Sequence, residues 1–448
     1  MAKNLSDQFV DYLYNLKDTE FPNRVILQAK RCLIDYLGVT FAGAKMIKEK
    51  GEKLLDFNGK GETSAIGFDH KTSIENAVLI NGISSHIAEL DDGSRYGAIH
   101  PGSPILSVLL PVAKREKIEV NELISGIIIG YEAAIRIATA VQPSHYNNGY
   151  HPTATCGSIG AAMGIATMLG FSKAQMKDTL SAAVVSSSGT LKVIEEGSEI
   201  KPFNCGRAAV IALLASNMAR AGFKGPDEVL EGKTGFLSMM SSQYDVSQLI
   251  NKNDDSLCIE KIYVKPYAAC RHAHPSIEAV LFLKSKFDIN IDDIESIKVS
   301  TYRGVLGKHD HKSALSVSSA KMSIPFAIAV SLISGKAGIM EFTDEYVADE
   351  QIKKLISKIN IVADPEISKL VPQQRSAIVE INTFSSNIFN KRVDFPKGEP
   401  ENPLSKEEIE LKFQNLAEFS NKSSEFIQEI IDIVWKLENN INKLFERI

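Results

Sequence analysis

The pattern of apolar positions from residue 5 to about residue 255 is mostly helical. Ile80, Ile83 and Ile87 recur at the spacing of one helix face, and a capping-box pair, Thr72 and Glu75, precedes them. This pattern predicts a helix over residues 72–90. Small residues, which allow helices to approach closely, are concentrated in three further stretches: GYEAAIRIATAV (130–141), GSIGAAMGIATMLG (157–170) and AAVIALLASNMARAGF (208–223).

The pattern changes near residue 258, where β-branched and partly alternating segments begin. These segments predict strands, at residues 259–264, 295–303, 358–364, 376–384 and 389–395. Helical patterns lie between them at residues 275–287 and 323–335. Strands mixed with helices in this way predict a smaller α+β unit.

A helical pattern returns after a proline-rich segment that predicts a stiff linker, residues 396–403. Ser405 and Glu408 form another capping-box pair, and residues 426–448 predict one amphipathic helix.

The order of these patterns predicts a mainly α fold with an α+β part. Both chain ends, residues 1–262 and 398–448, would form one large all-helical domain. Residues 263–397 would form a smaller α+β domain inserted into it.

The composition is that of an ordinary globular protein, because 50 Lys and Arg against 55 Asp and Glu give a net charge of −5 and 44% of the residues are hydrophobic. A disordered chain and a protein that coats nucleic acid are both disfavoured. The N-terminus lacks the pattern of a signal peptide, and no run of about 18 uncharged apolar residues occurs. We expect a cytoplasmic protein without nucleic-acid or membrane partners.

The sequence gives little support for a metal or an organic cofactor. The five cysteines lie far apart and never as C-x-x-C, which disfavours a disulfide scaffold and a cysteine-based zinc site. Two histidine pairs, 272 with 274 and 309 with 311, have the spacing that puts two imidazoles on one strand face, but no third ligand stands out. GSIGAAMG (157–164) departs from G-x-G-x-x-G and favours helix packing over dinucleotide binding.

Five cationic side chains stand directly before a proline: His100, His151, Lys201, Lys265 and His274. The α region is disfavoured for a residue before proline, so we predict these side chains in turns rather than inside helices. A turn before a helix N-terminus directs backbone N–H groups toward anions. One such pair alone is more often a surface turn or a packed core residue, but the repetition favours an anion site.

Three carboxylates, Glu89, Asp91 and Asp92, follow at the C-terminal end of the helix predicted over residues 72–90. The helix macrodipole disfavours negative charge there, so we expect a cation nearby. These carboxylates also lie within eleven residues of His100, a spacing that allows one of them to orient the imidazole.

Seven segments in order along nearly the whole chain resemble the MmgE/PrpD family: ELDDGSRYGAIHPGSP (89–104), NNGYHPTATCGSIGAA (147–162), KPFNCGRAA (201–209), GFKGPDEVLEGKTGF (222–236), KPYAACRHAHPSIEA (265–279), SIPFAIA (323–329) and PKGEPENPLS (396–405). That family includes 2-methylcitrate dehydratase, cis-aconitate decarboxylase and iminodisuccinate epimerase. The resemblance implies a large helical domain with an α+β lid, and a homodimer.

The resemblance also implies the chemistry: a proton leaves or arrives on carbon next to a carboxylate of a small di- or tricarboxylate, without metal or organic cofactor. The catalytic positions of the family fall on His100, His151, Lys201 and Asp92. Its substrate-binding positions fall on Glu89, Lys265, Arg271, His274 and Cys270.

Within that set, His151 or His100 would move the proton, and Lys201 and Lys265 would hold substrate carboxylates. Glu89 and Asp92 would orient a histidine or fix its protonation.

Three departures from the decarboxylase-like members disfavour decarboxylation. Cys270 stands where they carry histidine, Phe326 where they carry tyrosine, and Gly93 where they carry threonine. Arg271 could supply a carboxylate contact in place of the missing groups. We therefore expect a hydro-lyase of the 2-methylcitrate dehydratase type. The alternatives are a dicarboxylate epimerase or isomerase and a carboxylate-binding protein without catalytic activity.

Overall fold

The computed structural model describes residues 3–57, 60–195, 198–250 and 256–448. It is mainly helical with a small mixed sheet, so the predicted fold class, mainly α with an α+β part, is confirmed. The chain forms two compact units. The first unit contains Met1–Leu191, Ile200–Tyr263 and Ser405–Ile448, and the second contains Lys192–Glu199 and Val264–Leu404.

The first unit is built from helices, apart from one pair of two-residue antiparallel strands, Thr63–Ser64 and Lys71–Thr72. Its α-helices are Leu5–Lys17, Asn23–Met46, Lys48–Phe57, Ile74–Ile87, Gly102–Glu116, Val120–Val141, Ser144–Asn147, Pro152–Met168, Lys173–Ser186, Phe203–Arg220, Phe236–Met240, Ser247–Ile250, Lys406–Phe419, Ser424–Trp435 and Ile441–Arg447. Single 3₁₀ turns occur at Cys258–Lys261 and Leu437–Asn439.

The core of this unit is centred on the helix Pro152–Met168, which packs against Val120–Val141, Phe203–Arg220 and Gly102–Glu116. Small residues allow the close approach, since a Cβ on Gly160 would lie 2.3 Å from the Cβ of Ala134.

The helix Val120–Val141 is long and apolar enough to span a membrane by length and composition, but most of it is buried inside the unit. It carries Glu132 and Arg136, which form a buried ion pair with an N···O distance of 2.6 Å. Its environment is that of a core helix surrounded by protein.

The C-terminal segment completes the same core, because the helix Lys406–Phe419 packs against Asn23–Met46. The predicted capping box of Ser405 and Glu408 is confirmed. The single amphipathic helix predicted over residues 426–448 is wrong, since Ser424–Trp435 ends before Asn440, where the backbone leaves the helical region with φ −139°. The backbone already leaves the helical region at Lys436, with φ −112° and ψ 37°, and a 3₁₀ turn, Leu437–Asn439, follows before the last helix.

The second unit contains a four-stranded mixed sheet with strands in the order Ile359–Ala363, Ile294–Thr301, Ala377–Thr383, Ile388–Val393. The first two strands are parallel and the other neighbours are antiparallel. Alternate residues of Ala377–Thr383 are buried, as the period of two requires.

Helices cover one face of this sheet, with His274–Lys286 packed on both Ala377–Thr383 and Ile388–Val393. The other elements of the unit are the helices Lys192–Glu195, Val317–Met322, Ile324–Ser334, Asp344–Ala348, Glu350–Ser357 and Pro365–Lys369, and the 3₁₀ turns Arg271–Ala273, Ile291–Asp293, Arg303–Val305 and Ile339–Glu341. Four of the five predicted strands are present.

The strand predicted over residues 259–264 is wrong, because the segment forms the 3₁₀ turn Cys258–Lys261 and a single antiparallel bridge between Tyr263 and Gly93. Ile259 and Ile262 are both buried at a spacing of three residues, which suits one helical turn rather than a strand.

Candidate active site

The helix Ile74–Ile87 brings His86 and the acidic residues after it into the interior of the first unit. Its N-cap is Ser73, whose hydroxyl accepts a hydrogen bond from the Asn76 amide at 3.2 Å. The predicted capping box of Thr72 and Glu75 is therefore wrong, because the N-cap lies one residue later. Thr72 instead ends a short strand, and its hydroxyl accepts a hydrogen bond from the side chain of Asn76 at 2.9 Å.

Glu89 and Lys201 form a buried ion pair although they are 112 residues apart in sequence. Lys201 supplies the cation that the acidic helix end predicts. Glu89 has a left-handed backbone, with φ 56°, which costs a residue with a side chain roughly 1 kcal/mol or more. The ion pair offsets this strain by holding the carboxylate in place.

Asp91 connects two imidazoles. Its Oδ2 lies 2.6 Å from Nδ1 of His86 and 3.4 Å from Nδ1 of His100, and the Ser103 hydroxyl donates to it at 3.3 Å. The two rings are 5.0 Å apart in an edge-to-face arrangement. His86 and Asp91 are both buried, and the hydrogen bond between them orients the imidazole of His86.

The sequence analysis missed His86, since it lies within an apolar helical pattern and does not precede a proline. The only local signal was its position three residues before Glu89, which places the two side chains on one helix face. His86 Nε2 lies 3.8 Å from Glu89 Oε1.

Asp92 has a buried carboxyl group that is held by two donors. The amide of Gly102 donates to Oδ1 at 3.0 Å and the Tyr131 hydroxyl donates to Oδ2 at 2.5 Å. Burial raises the pKa of Asp92 to about 7, the nearby carboxylates of Asp35 and Asp91 add to the rise, and the hydrogen bonds oppose it.

His100 is held by the backbone of Asp92 rather than by the carboxyl group that the sequence analysis expected. Nδ1 of His100 donates to the carbonyl oxygen of Asp92 at 2.7 Å, whereas the carboxyl group of Asp92 faces Gly102 and Tyr131. A Cβ on Gly102 would lie 2.5 Å from the Tyr131 hydroxyl oxygen, so glycine is needed for this close contact.

His151 is the N-cap of the helix Pro152–Met168 and is almost fully buried. Its Nδ1 lies 3.1 Å from the side-chain amide nitrogen of Asn204, a residue that the sequence analysis missed. Burial lowers the pKa of His151 well below its ordinary value, and the charges of Lys201, His86 and His100 add to this effect. His151 is therefore a neutral imidazole at physiological pH.

The prediction that cationic residues before proline occupy turns leading into helices holds for His100, His151 and Lys201. These residues precede the helices Gly102–Glu116, Pro152–Met168 and Phe203–Arg220. It is wrong for His274, which is the first helical residue of His274–Lys286 with φ −57° and ψ −43°.

Gly93 is paired with Tyr263 by two backbone hydrogen bonds of 3.0 and 2.8 Å. A Cβ on Gly93 would lie 2.3 Å from the Tyr263 hydroxyl oxygen, so the tyrosine fills the space of a side chain at position 93. The Tyr263 ring also lies 6.4 Å from that of His100, edge to face. Where the decarboxylase-like members carry threonine, this chain has Gly93, and the side chain of Tyr263 occupies the space.

The remaining predicted residues lie in the second unit. Lys265 is fully buried, and Arg271 forms a buried ion pair with Glu399. His274 Nε2 lies 3.1 Å from the carbonyl oxygen of Ala269, and Cys270 is partly exposed. The carboxylate partner of Arg271 here is thus an internal glutamate.

Phe326 is buried in the second unit and its ring lies 5.7 Å from that of Phe342.

Neither histidine pair lies on a strand as predicted, since Arg271–Ala273 is a 3₁₀ turn and residues 309–311 are irregular.

The structure thus brings together five predicted site residues, Glu89, Asp92, His100, His151 and Lys201, in the first unit. It adds His86, Asp91 and Asn204 to them. The arrangement combines a neutral imidazole, a carboxylate-oriented pair of imidazoles and a lysine paired with a carboxylate. These groups can give and take protons, and most of them are buried.

Comparison with protein families gives two matches that together cover most of the chain. The MmgE/PrpD N-terminal domain matches residues 7–249, and the MmgE/PrpD C-terminal domain matches residues 267–437.

Curated proteins with similar sequences carry the names of a decarboxylase and a dehydratase. A "Cis-aconitate decarboxylase-like protein" of Aspergillus oryzae is 24% identical over 98% of this chain and 95% of its own length. The "Cis-aconitate decarboxylase" of Homo sapiens is 23% identical over 98% of this chain and 93% of its own length. The mitochondrial "2-methylcitrate dehydratase" of Yarrowia lipolytica is 25% identical over 62% of this chain and 55% of its own length.

Proposed function

The chain belongs to the MmgE/PrpD family, and from this membership we propose that it is a lyase that moves a proton next to a carboxylate of a small di- or tricarboxylate. The observation that carries the proposal is the cluster of His86, His100 and His151 around Asp91 and the Glu89–Lys201 pair. Removal of such a proton builds negative charge on the adjacent carboxylate. Lysine and imidazolium groups in a buried site stabilise that charge.

The hydrogen bonds of the two histidines assign different roles to them. His100 donates its Nδ1–H to the Asp92 carbonyl, so a neutral His100 carries the lone pair on Nε2 and acts as the base. His151 accepts at Nδ1 from the Asn204 amide, so neutral His151 carries its proton on Nε2 and can donate a hydrogen bond to a substrate oxygen.

Dehydration is the first choice among the reactions of this class. His100 would take the proton from carbon, and the electron pair would form the carbon–carbon double bond. The hydroxyl group, hydrogen-bonded to the Nε2–H of His151, would leave as water by taking that proton back from the imidazolium of His100. Cys270 and Phe326 support this choice, because neither offers the imidazole or phenol found at these positions in the decarboxylase-like members.

Decarboxylation is the second candidate, favoured by a separate observation. The relatives that carry that name match 98% of this chain, whereas the Yarrowia dehydratase matches 62%. The same buried cations would stabilise the carbanion that remains after loss of CO₂.

The test is proton NMR in D₂O of the protein with a panel of hydroxylated and unsaturated di- and tricarboxylates. We expect a new olefinic signal from a hydroxy acid together with incorporation of deuterium at carbon. Evolution of CO₂ from an unsaturated tricarboxylate would instead establish decarboxylation, and exchange without an olefin would establish an epimerase. Thermal stabilisation by these acids without any exchange or product would overturn catalysis in favour of a carboxylate-binding protein.

Two variants test the assignment of roles. His100→Gln is expected to lose both deuterium exchange and product, because it removes the base. His151→Gln is expected to keep exchange but lose at least about 100-fold in elimination, because it removes the imidazole N–H that stabilises the leaving hydroxyl group. The reverse pattern would overturn the assignment while leaving the proposed reaction intact.

A further inference from the structure

A cluster in the second unit combines one thiol with two imidazoles. One donor atom from each of Cys270, His272 and His309 lies within 4.8 Å of the others. In the sequence, His272 is paired with His274 and His309 with His311. In the structure, His272 and His309 instead lie near each other and near Cys270. We propose that Cys270, His272 and His309 form a binding site for a divalent transition-metal ion of the Zn²⁺ type.

The donor set has the chemistry of such ions. Thiolate and imidazole are the ligands that Zn²⁺ prefers, at about 2.3 Å and about 2.0–2.1 Å, so donors on a tetrahedral ion are roughly 3.5 Å apart. Side-chain rotations that bring the three donor atoms roughly 1 Å closer meet this geometry. Three protein ligands leave a fourth position for water or for an oxygen of a bound molecule.

Hydrogen bonds hold both imidazoles by the same ring atom. Nδ1 of His309 lies 3.1 Å from the carbonyl oxygen of Met322, and Nδ1 of His272 is hydrogen-bonded to the hydroxyl group of Tyr302. A histidine ligand usually donates one ring N–H to such a partner and coordinates through the other nitrogen. The two rings are stacked with centroids 4.6 Å apart, so both imidazoles lie beside each other in the cluster.

The cluster is reachable by an ion. His309 is buried, whereas Cys270 and His272 are partly exposed.

The surrounding charge makes the thiol the decisive ligand. Lys308, Arg271 and Arg375 act on His272 as positive charges, and Arg271 is already paired with Glu399. These cations oppose a bare divalent ion but favour a thiolate, whose negative charge offsets part of the charge of the metal. Binding should therefore depend on Cys270 more than on either histidine.

The experiment titrates the full-length, metal-stripped protein with Co²⁺, which reports thiolate coordination by a charge-transfer band in the near ultraviolet. Wild type is expected to bind one equivalent of Co²⁺ and to show this band. Addition of Zn²⁺ is expected to displace the Co²⁺ and remove the band. Cys270→Ser should abolish the band, and His309→Gln should weaken binding at least about tenfold. His311→Gln is the matched control and should bind like wild type, because it alters the other histidine of the same pair.

Circular dichroism of each variant separates loss of the ligand from loss of the fold. No thiolate band in wild type at saturating Co²⁺, or a band that persists in Cys270→Ser, would overturn the proposal. Binding that is unaffected by His309→Gln would also overturn it. Because the signal is spectroscopic, it does not depend on whether the protein is a lyase.

Discussion

Asp92 is the residue whose burial has the clearest consequence for stability. Its carboxyl lies between the Gly102 amide and the Tyr131 hydroxyl, and its pKa rises from 3.8 to about 7. The folded protein therefore holds a proton that the unfolded chain releases. The stability that this proton contributes is fully present below about pH 4 and is lost as the pH rises through about 7.

We predict that Asp92→Asn, which resembles the protonated carboxyl, removes this loss. When the pH rises from about 5 to about 8, the free energy of unfolding of wild type should fall by on the order of 3 kcal/mol more than that of the variant. Urea denaturation at both pH values measures the difference. Asp18→Asn, which changes an exposed carboxyl group, is the control, and its stability should depend on pH as that of wild type does. Equal pH dependence of wild type and Asp92→Asn would contradict the prediction.

The Glu89–Lys201 pair gives a second prediction at this scale. Either Glu89→Gln or Lys201→Met leaves one buried charge without its partner and should cost about 3–5 kcal/mol of stability. The double variant should cost less than the sum of the single variants, because it removes both charges. A double-mutant cycle in urea measures this coupling, and additive costs would show that the pair contributes nothing.

At the scale of elements, the catalytic candidates are positioned by helix ends that close packing fixes. The helix Pro152–Met168 begins directly after His151 and lies against Val120–Val141. Phe203–Arg220, which carries Asn204 in its first turn, packs against the same helix. The contact between Asn204 and His151 therefore depends on how closely these helices pack.

We predict that Gly160→Ala disturbs this packing. Its Cβ would lie 2.3 Å from the Ala134 Cβ and 2.7 Å from the Gly130 carbonyl oxygen, so the helices must separate at a cost of about 1–3 kcal/mol. Gly130→Ala on the facing helix is the milder comparison, since its Cβ would lie 3.1 Å from a methyl group of Ile105 and 3.3 Å from the Gly160 carbonyl oxygen. Chemical denaturation measures the loss of stability in each variant. A smaller loss for Gly160→Ala than for Gly130→Ala would contradict the close contact between Gly160 and Ala134.

At the scale of the whole molecule, both ends of the chain belong to one helical unit. Phe413 of the C-terminal segment is buried, and its ring lies 6.5 Å from that of Phe41 near the N-terminus. The chain therefore has to return after residue 404 before the core of the first unit is complete.

We predict that Phe413→Ala destabilises this unit by about 3–5 kcal/mol, because it leaves a cavity between the two chain ends. Leu411→Ala on the same helix should change stability by less than about 0.5 kcal/mol, since Leu411 is 54% exposed. Trp435 is the only tryptophan and lies in the same unit, so its fluorescence follows the unfolding. An equal loss of stability in the two variants would contradict a core shared by the two ends of the chain.

The sequence by itself determined the features that depend on near neighbours. Helical periodicity predicted a mainly helical first part of the chain, and β-branched alternation predicted four of the strands. The proline rule predicted the turns at His100, His151 and Lys201, because backbone preferences act over a few residues. Where a short apolar run allowed two interpretations, as at residues 259–264, the local signal was insufficient.

Only the tertiary structure decided which groups meet and how they are charged. It paired Glu89 with Lys201, added His86 and Asn204, turned the Asp92 carboxyl toward Tyr131, and placed His309 near Cys270. These contacts join residues distant in sequence, and the pKa values of Asp92 and His151 follow from burial. Burial and through-space charge arise only when the chain has folded, so no local pattern encodes them.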